Sequence, residues 1–72
     1  WLIGVAKSEL GYSLFKQSKD LEAEGYLIDG YNQLKVKKGK SSAYAKQSLK
    51  KIIDFYKSKN REDKVAEFSS QI

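Results

Sequence analysis

The sequence predicts an all-α fold: about four helices in antiparallel helix-turn-helix pairs, stacked as a short α-solenoid. Three observations favour this fold. Apolar residues recur at steps of three and four along most of the 72 residues, and no segment alternates with a period of two for long enough to form a strand. The chain contains no proline, which suits helices. A shift of 42 residues also brings its two halves into register.

The first helix is expected over about residues 1–17, followed by a break at Ser18-Lys19. Its apolar stripe is formed by Ile3, Ala6, Leu10 and Leu14. No residue that could cap the helix precedes Trp1. This start favours the interpretation that the chain is a piece of a longer protein.

The second helix is expected to begin with Asp20 as its N-cap and to end within residues 35–40. Its apolar stripe is formed by Ala23, Leu27, Gly30 and Leu34. A glycine inside a helix costs about 1 kcal/mol relative to alanine, so Gly30 on this stripe predicts the close approach of a neighbouring backbone. Gly39 is expected to supply a left-handed residue at the turn.

The third helix is expected to be capped by Ser41 or Ser42. Its apolar positions are Ala45, Leu49, Ile52, Ile53 and Tyr56. Asn60 is expected to end it, because asparagine tolerates the left-handed conformation. Glu62 and Asp63 then open a fourth helix. The apolar positions of that helix are Val65, Ala66, Phe68 and Ile72.

The two halves of the chain align by role when the sequence is shifted by 42 residues. The aligned pairs are Leu10 with Ile52, Gly11 with Ile53, Leu14 with Tyr56, Ser18 with Asn60, Ala23 with Val65 and Tyr26 with Phe68. Repeat periods of about 20–50 residues are typical of solenoids. The alignment predicts a single domain with one repeat over about residues 1–36 and a second over about residues 41–72.

The pattern Leu10-Gly11-x-x-Leu14, a break at Ser18, and then Ala23-x-x-x-Leu27-x-x-Gly30 resembles the tetratricopeptide repeat (TPR). The period of 42 residues is similar to the longer repeats of kinesin light chains. The segments 19–24 and 63–68 are also similar to repeat arrays at the C-terminal end of bacterial eukaryote-like serine/threonine kinases. The resemblance implies stacked helix pairs, a concave groove lined by the first helix of each pair, and protein binding as the activity.

The resemblance also implies which residues line that groove. They are Ser8, Tyr12, Phe15 and Lys16 on the first helix and Lys50, Asp54, Lys57 and Ser58 on the third. Exposed aromatic side chains beside a lysine would make a peptide anchor. The favoured alternative is that Tyr12 and Phe15 pack against the third helix or against a neighbouring repeat.

The positive charge lies in the second half of the chain. Residues 1–36 hold four lysines and five acids (−1), whereas residues 37–72 hold nine lysines, one arginine and four acids (+6). Three interpretations of the segment 35–51 stay open: a solvated surface, which is favoured, a contact for an acidic protein partner, or a contact for nucleic acid or anionic lipid. The single arginine disfavours specific DNA recognition, because arginine is the commonest reader of guanine. Non-specific phosphate contact stays open.

No catalytic residue, cofactor or metal site is predicted. The chain contains no histidine or cysteine and no glycine-rich phosphate loop. No apolar run approaches the roughly 20 residues of a membrane span, and the opening segment WLIGVA is a poor signal peptide. A cytoplasmic protein that binds other proteins is therefore expected.

A purely structural role is the remaining hypothesis. About three repeats are normally needed for a stable array, and this chain holds two. The unpaired faces of the first and fourth helices could pack onto neighbouring repeats or onto a second copy in a homo-oligomer. The candidates for this packing seam are Trp1, Ile3, Phe68 and Ile72.

Overall fold

The computed structural model describes residues 2–39 and 42–71. Within these ranges the chain forms helices and no strands. The helices are α1 (Leu2–Lys16), α2 (Asp20–Lys38), α3 (Ala43–Ser58) and α4 (Glu62–Ser69). Helix α1 packs along α2, α3 lies against both of them, and α4 returns along α3. The predicted all-α fold of packed helices is confirmed.

Two glycines set the close crossing of α1 and α2. A Cβ placed on Gly11 would lie 2.8 Å from the backbone nitrogen of Leu27, closer than real Cβ contacts come. One placed on Gly30 would lie 2.8 Å from the backbone nitrogen of Ser8 and 2.8 Å from the carbonyl oxygen of Gly4. The backbone approach expected at Gly30 is confirmed, and any side chain at either glycine would push the helices apart.

The buried face of α1 differs from the predicted apolar stripe. Its buried residues are Gly4, Ser8, Gly11 and Leu14. Of the predicted stripe only Leu14 is buried, whereas Ile3 is 64% exposed, Leu10 is 45% exposed and Ala6 is exposed. The prediction failed because α2 approaches α1 through glycine and serine. These small residues have no large apolar side chain, so they do not contribute to a hydrophobic periodicity in the sequence.

The stripes predicted for α2 and α3 are confirmed as the core. Every residue of both stripes is buried. The structure adds Tyr31 of α2 and Phe55 of α3, which are 1% and 4% exposed. Helix α3 contacts both α1 and α2, so its buried arc is wider than a single four-residue stripe.

Helix α4 covers the core with one edge. Val65 and Phe68 are half-buried against the core, whereas Ala66 is exposed. The Phe68 ring stacks on Tyr56 with 5.7 Å between ring centroids and meets Tyr31 edge-on at 6.5 Å. Phe68 therefore packs within the chain. Ile72, also predicted for this stripe, lies outside the described residues.

The predicted caps are partly confirmed. The Ser42 hydroxyl accepts a hydrogen bond from the backbone N–H of Ala45 (3.2 Å), which caps α3 as expected. The prediction for Asp20 is wrong: Lys19 holds the N-cap position, without a side-chain hydrogen bond. Asp20 is the first residue of α2, and its carboxylate forms an ion pair with Lys59 (2.6 Å).

The α1–α2 and α3–α4 turns close with the same pair of backbone hydrogen bonds. In the first, the N–H groups of residues 18 and 19 donate to the carbonyls of residues 15 and 14 (3.0 and 2.9 Å). In the second, the N–H groups of residues 60 and 61 donate to the carbonyls of residues 57 and 56 (3.1 and 3.0 Å). This pattern is the Schellman motif, which requires a left-handed residue after the helix. The breaks expected at Ser18 and Asn60 are confirmed.

Candidate interaction surface

Helices α1 and α3 lie side by side and are joined by three different kinds of contact. The buried Ser8 hydroxyl donates a hydrogen bond to the Ser48 hydroxyl (3.0 Å). The other two contacts are the ion pair of Glu9 with Lys51 (2.7 Å) and the edge-on rings of Phe15 and Phe55 (5.3 Å). These contacts hold α1 and α3 side by side, so that the two helices form one continuous surface.

Ser8 does not line an open groove. It was predicted as a groove residue, but it is 2% exposed and its hydroxyl is held by Ser48. The prediction failed because α3 packs over this part of α1. A cavity of about 20 Å³ lies beside the two serines. It has room for about one water molecule and is too small for a larger ligand.

Tyr12, Phe15 and Lys16 form a cluster at the C-terminal end of α1. The two rings are half-buried and meet edge-on at 5.8 Å, and the ammonium group of Lys16 lies 5.1 Å from the Tyr12 centroid and 5.9 Å from the Phe15 centroid. A cation over an aromatic face is attracted by the ring quadrupole. Phe15 packs against Phe55 of α3, as the favoured alternative expected, and Lys16 stays exposed.

Lys50, Asp54 and Lys57 are all exposed on α3. The α3 side chains that contact α1 are Ser48, Lys51 and Phe55. Because successive residues of an α-helix are about 100° apart, Lys50 and Lys57 each lie about 100° or more around the helix from every member of that row. The structure therefore places them on the solvent side of α3 and outside the α1–α3 contact.

The packing of α3 on α1 accounts for the difference between the two predicted sets. Ser8, Tyr12 and Phe15 correspond to Lys50, Asp54 and Lys57 under the shift of 42 residues. The first set is buried or half-buried, and α3 packs against it. The second set consists of charged residues and is exposed to solvent.

A row of lysines follows the solvent side of α3. Lys46, Lys50 and Lys57 lie on one face of the helix. None of them forms an ion pair within the described ranges. In contrast, Lys51 and Lys59 are neutralised by acids of α1 and α2. We call Lys46, Lys50, Asp54 and Lys57 the α3 basic face.

Sequence reasoning missed the residues that join α1 to α3. Ser48 and Lys51 are polar and lie beside the apolar stripe, so periodicity did not select them. The pair of Glu9 with Lys51 carried a usable signal. The two residues are 42 residues apart and oppositely charged, so the repeat register itself aligns them.

Another polar contact joins α3 to α2. The Tyr56 hydroxyl, on a side chain that is 1% exposed, donates a hydrogen bond to the Glu24 carboxylate (2.6 Å). Burial raises the pKa of Tyr56, and the hydrogen bond to Glu24 raises it further. This phenol therefore keeps its proton at neutral pH, and its role is to tie α3 to α2.

No protein-family model, no curated protein and no solved structure matches this chain. None of the helices in the described ranges is both long enough and apolar enough to cross a membrane.

Proposed function

We propose that this chain is a protein-interaction module of the TPR type, with no catalysis of its own, that binds an acidic segment of a partner protein. The observation that carries the proposal is the α3 basic face. Its lysines stand on a helix held by packed neighbours, and none of them is neutralised within the described part of the chain. Lysines in such a row steer an acidic segment towards the surface and fix its register.

The Tyr12 cluster supports the same proposal. Tyr12 is half-buried beside exposed Lys16, so its ring offers a partly open apolar surface next to a positive charge. Aromatic side chains dominate the energetics of protein interfaces, and exposed charges contribute mainly to the association rate. We expect Tyr12 to supply affinity and Lys50 and Lys57 to supply selection for acidic sequences.

The test is binding of fluorescent peptides rich in aspartate and glutamate, compared with lysine-rich peptides of equal length. The variant Tyr12→Ala/Lys50→Ala/Lys57→Ala is expected to weaken binding of the best acidic peptide at least tenfold, about 1.4 kcal/mol. A charge-matched control is Lys19→Ala/Lys64→Ala, which removes two lysines elsewhere and should leave the affinity unchanged. Binding that survives the triple variant would contradict the assignment of this surface.

Packing within a longer helical array is a second candidate function, favoured by the repeat register. Ile3, Leu10 and Tyr26 are exposed (64%, 45% and 38%). Their equivalents 42 residues later are the buried residues Ala45 and Ile52 and the half-buried Phe68, which pack in the core beneath the α1–α2 pair. The exposed set on α1 and α2 therefore has the character of a surface that another helix pair would cover. Of the predicted seam, Ile3 belongs to this set, and Trp1 and Ile72 lie outside the described residues.

This candidate is tested with a chain in which residues 1–42 are duplicated in tandem ahead of the whole sequence. The added pair would present the face of α1 and α2 that receives α3, and it should cover the exposed set. The expected result is a single unfolding transition with a higher free energy of unfolding than the original chain. An added pair that melts separately would refute the packing role and leave the peptide-binding test untouched.

A nucleic-acid partner would use the same lysines in a different way. Phosphate binding releases counterions, so affinity for a duplex or a single strand would fall steeply with salt. Retardation of a labelled duplex at low salt that is lost in Lys46→Ala/Lys50→Ala/Lys57→Ala would favour nucleic acid over an acidic protein. No retardation at low salt is the result that the present proposal expects.

A further inference from the structure

The outward face of α2 carries an apolar stripe that no described part of the chain covers. Leu21 is 89% exposed and Val36 is 75% exposed, the highest values among the large hydrophobic side chains described. Exposed Gly25 and Asn32 lie between them at helical spacing, and half-buried Ile28 lies at the edge. This stripe runs for four turns along α2 and lies on neither the α1 side nor the α3 side of the helix.

Gly25 is the one glycine inside the described helices that does not pack against another helix. A Cβ placed on Gly25 would meet no atom within 4 Å, whereas Gly4, Gly11 and Gly30 are each packed against another helix. A glycine within a helix costs about 1 kcal/mol relative to alanine, and nothing in the described chain offsets this cost at Gly25. The missing side chain leaves an open depression beside Leu21, where a second helix could approach closely.

The charges of α2 are divided between its two ends. The first ten residues of the helix contain four acids, Asp20, Glu22, Glu24 and Asp29, and the last four contain three lysines, Lys35, Lys37 and Lys38. Glu22 and Lys37 flank the stripe on the same side, and neither forms an ion pair within the described ranges. A second α2 running in the opposite direction would therefore meet opposite charge at both ends.

We propose that a second copy of this chain binds here, with the two α2 helices antiparallel about a twofold axis near residues 28–29. Leu21 and Val36 are equally far from that axis, so Leu21 meets Val36 of the second copy at both ends of the interface. Glu22 then meets Lys37 of the second copy, also twice. The twofold axis brings the same face of both copies together, as an isologous dimer requires.

The dimer is expected to be weak. One helix face from each copy buries less than the roughly 1,200 Å² at the low end of stable interfaces. Sedimentation equilibrium over a range from micromolar to millimolar protein should show the mass rising from 8.2 kDa towards twice that value. Leu21→Glu/Val36→Glu should remain monomeric throughout while keeping its helical circular dichroism, because both side chains are exposed. The control Leu2→Glu changes an exposed leucine on α1 and should dimerise like the original chain.

A charge exchange tests the antiparallel arrangement. Glu22→Lys and Lys37→Glu should each weaken self-association, and the double variant should restore it. The two single variants mixed together should associate with each other, since every pair across the twofold axis is then opposite in charge. A monomer at millimolar concentration, or a double variant no better than the single variants, would overturn the proposal.

Cross-linking supplies an independent readout, because the chain has no native cysteine. Oxidation of a mixture of Leu21→Cys and Val36→Cys chains should give a disulfide-linked heterodimer. Leu21→Cys alone should give little cross-linked product. Efficient cross-linking of Leu21→Cys with itself would indicate a parallel pair and would overturn the antiparallel arrangement.

Discussion

Ser18 and Asn60, which are 42 residues apart, hold the same left-handed backbone conformation, with φ of 64° and 58°. The residues that follow them also match: Lys19 has φ −93° and ψ 70°, and Arg61 has φ −96° and ψ 74°. The chain therefore makes the same turn twice, at positions 42 residues apart. Neither left-handed residue is glycine, so both turns hold a conformation that side chains disfavour.

We expect Ser18→Gly to raise the free energy of unfolding by about 1 kcal/mol, because glycine adopts the left-handed conformation without steric cost. Asn60→Gly should raise it less, since asparagine already tolerates this conformation. Urea unfolding followed by circular dichroism measures both changes. The control Ser13→Gly places glycine inside α1 and should lower the free energy of unfolding by about 0.5 kcal/mol. A loss of stability in Ser18→Gly would contradict the steric explanation.

The turns and two of the apolar stripes were predictable because their signals are local. A capping serine at Ser42 and a left-handed asparagine at Asn60 each act on their nearest neighbours in the sequence. Gly30 contacts a distant helix, but its place on an apolar stripe is itself a local signal. The stripes of α2 and α3 were predictable because those helices bury large apolar side chains against two or more neighbouring helices. Local chemistry and the 42-residue register together predicted the order of elements.

The burial of α1 was not predictable in the same way. Its contact with α2 passes through Gly4 and Gly11, whose absent side chains leave no hydrophobic signal. Asp20 was assigned to a cap by local rules, but Lys59, which is distant in sequence, forms an ion pair with it. A tertiary contact of this kind overrides a local preference and cannot be recognised from one segment.

The candidate surface was predicted in part. The aromatic and lysine residues of α1 do lie together, with Lys16 over the rings of Tyr12 and Phe15. Ser8 was misplaced because its contact is Ser48, a residue 40 positions later that no motif marked. Which side chains of a helix face a neighbour depends on the packing angle, and the sequence pattern does not determine that angle.

Alanine substitutions at three glycines should separate close packing from open surface. Gly11→Ala and Gly30→Ala each place a methyl group 2.8 Å from backbone atoms of the opposite helix, so we expect losses of about 1–3 kcal/mol. Gly25→Ala faces open space and should instead raise the free energy of unfolding by up to about 1 kcal/mol. Urea unfolding at low micromolar concentration, which disfavours the proposed dimer, compares the three variants.

The matched control for this series is Ser13→Ala, an exposed change within α1 that should raise stability by less than 1 kcal/mol. Equal effects at Gly11 and Gly25 would mean that the α1–α2 distance relaxes freely. Such a result would contradict the crossing as described.

The buried pair of Ser8 and Ser48 predicts a non-additive double substitution. Removing one hydroxyl leaves the other buried and unpaired, so Ser8→Ala and Ser48→Ala should each cost about 1–3 kcal/mol. The double variant should lie within about 1 kcal/mol of the original chain, because both unpaired groups are then gone. A double-mutant cycle from urea unfolding measures this coupling, and additive losses would show that the two hydroxyls act independently.

The buried phenol of Tyr56 predicts a loss of stability in alkali. Burial and the Glu24 carboxylate raise its pKa above the ordinary value of 10.0 in the folded chain, and burial also raises the pKa of Tyr31. The folded state therefore keeps protons that the unfolded state releases above about pH 10. The contribution of each tyrosine is constant below that pH and is lost above it, with a slope approaching about 1.4 kcal/mol per pH unit.

We expect Tyr56→Phe to have a shallower fall in stability between about pH 10 and pH 11.5 than the original chain. At neutral pH the variant should be less stable by about 1–3 kcal/mol, because a hydrogen bond to a carboxylate is lost. Both proteins contain the same lysines, so the difference between their slopes reports the change at Tyr56. If Tyr56→Phe keeps the original slope, the alkaline loss has another source, and the coupling of Tyr56 ionisation to folding is refuted.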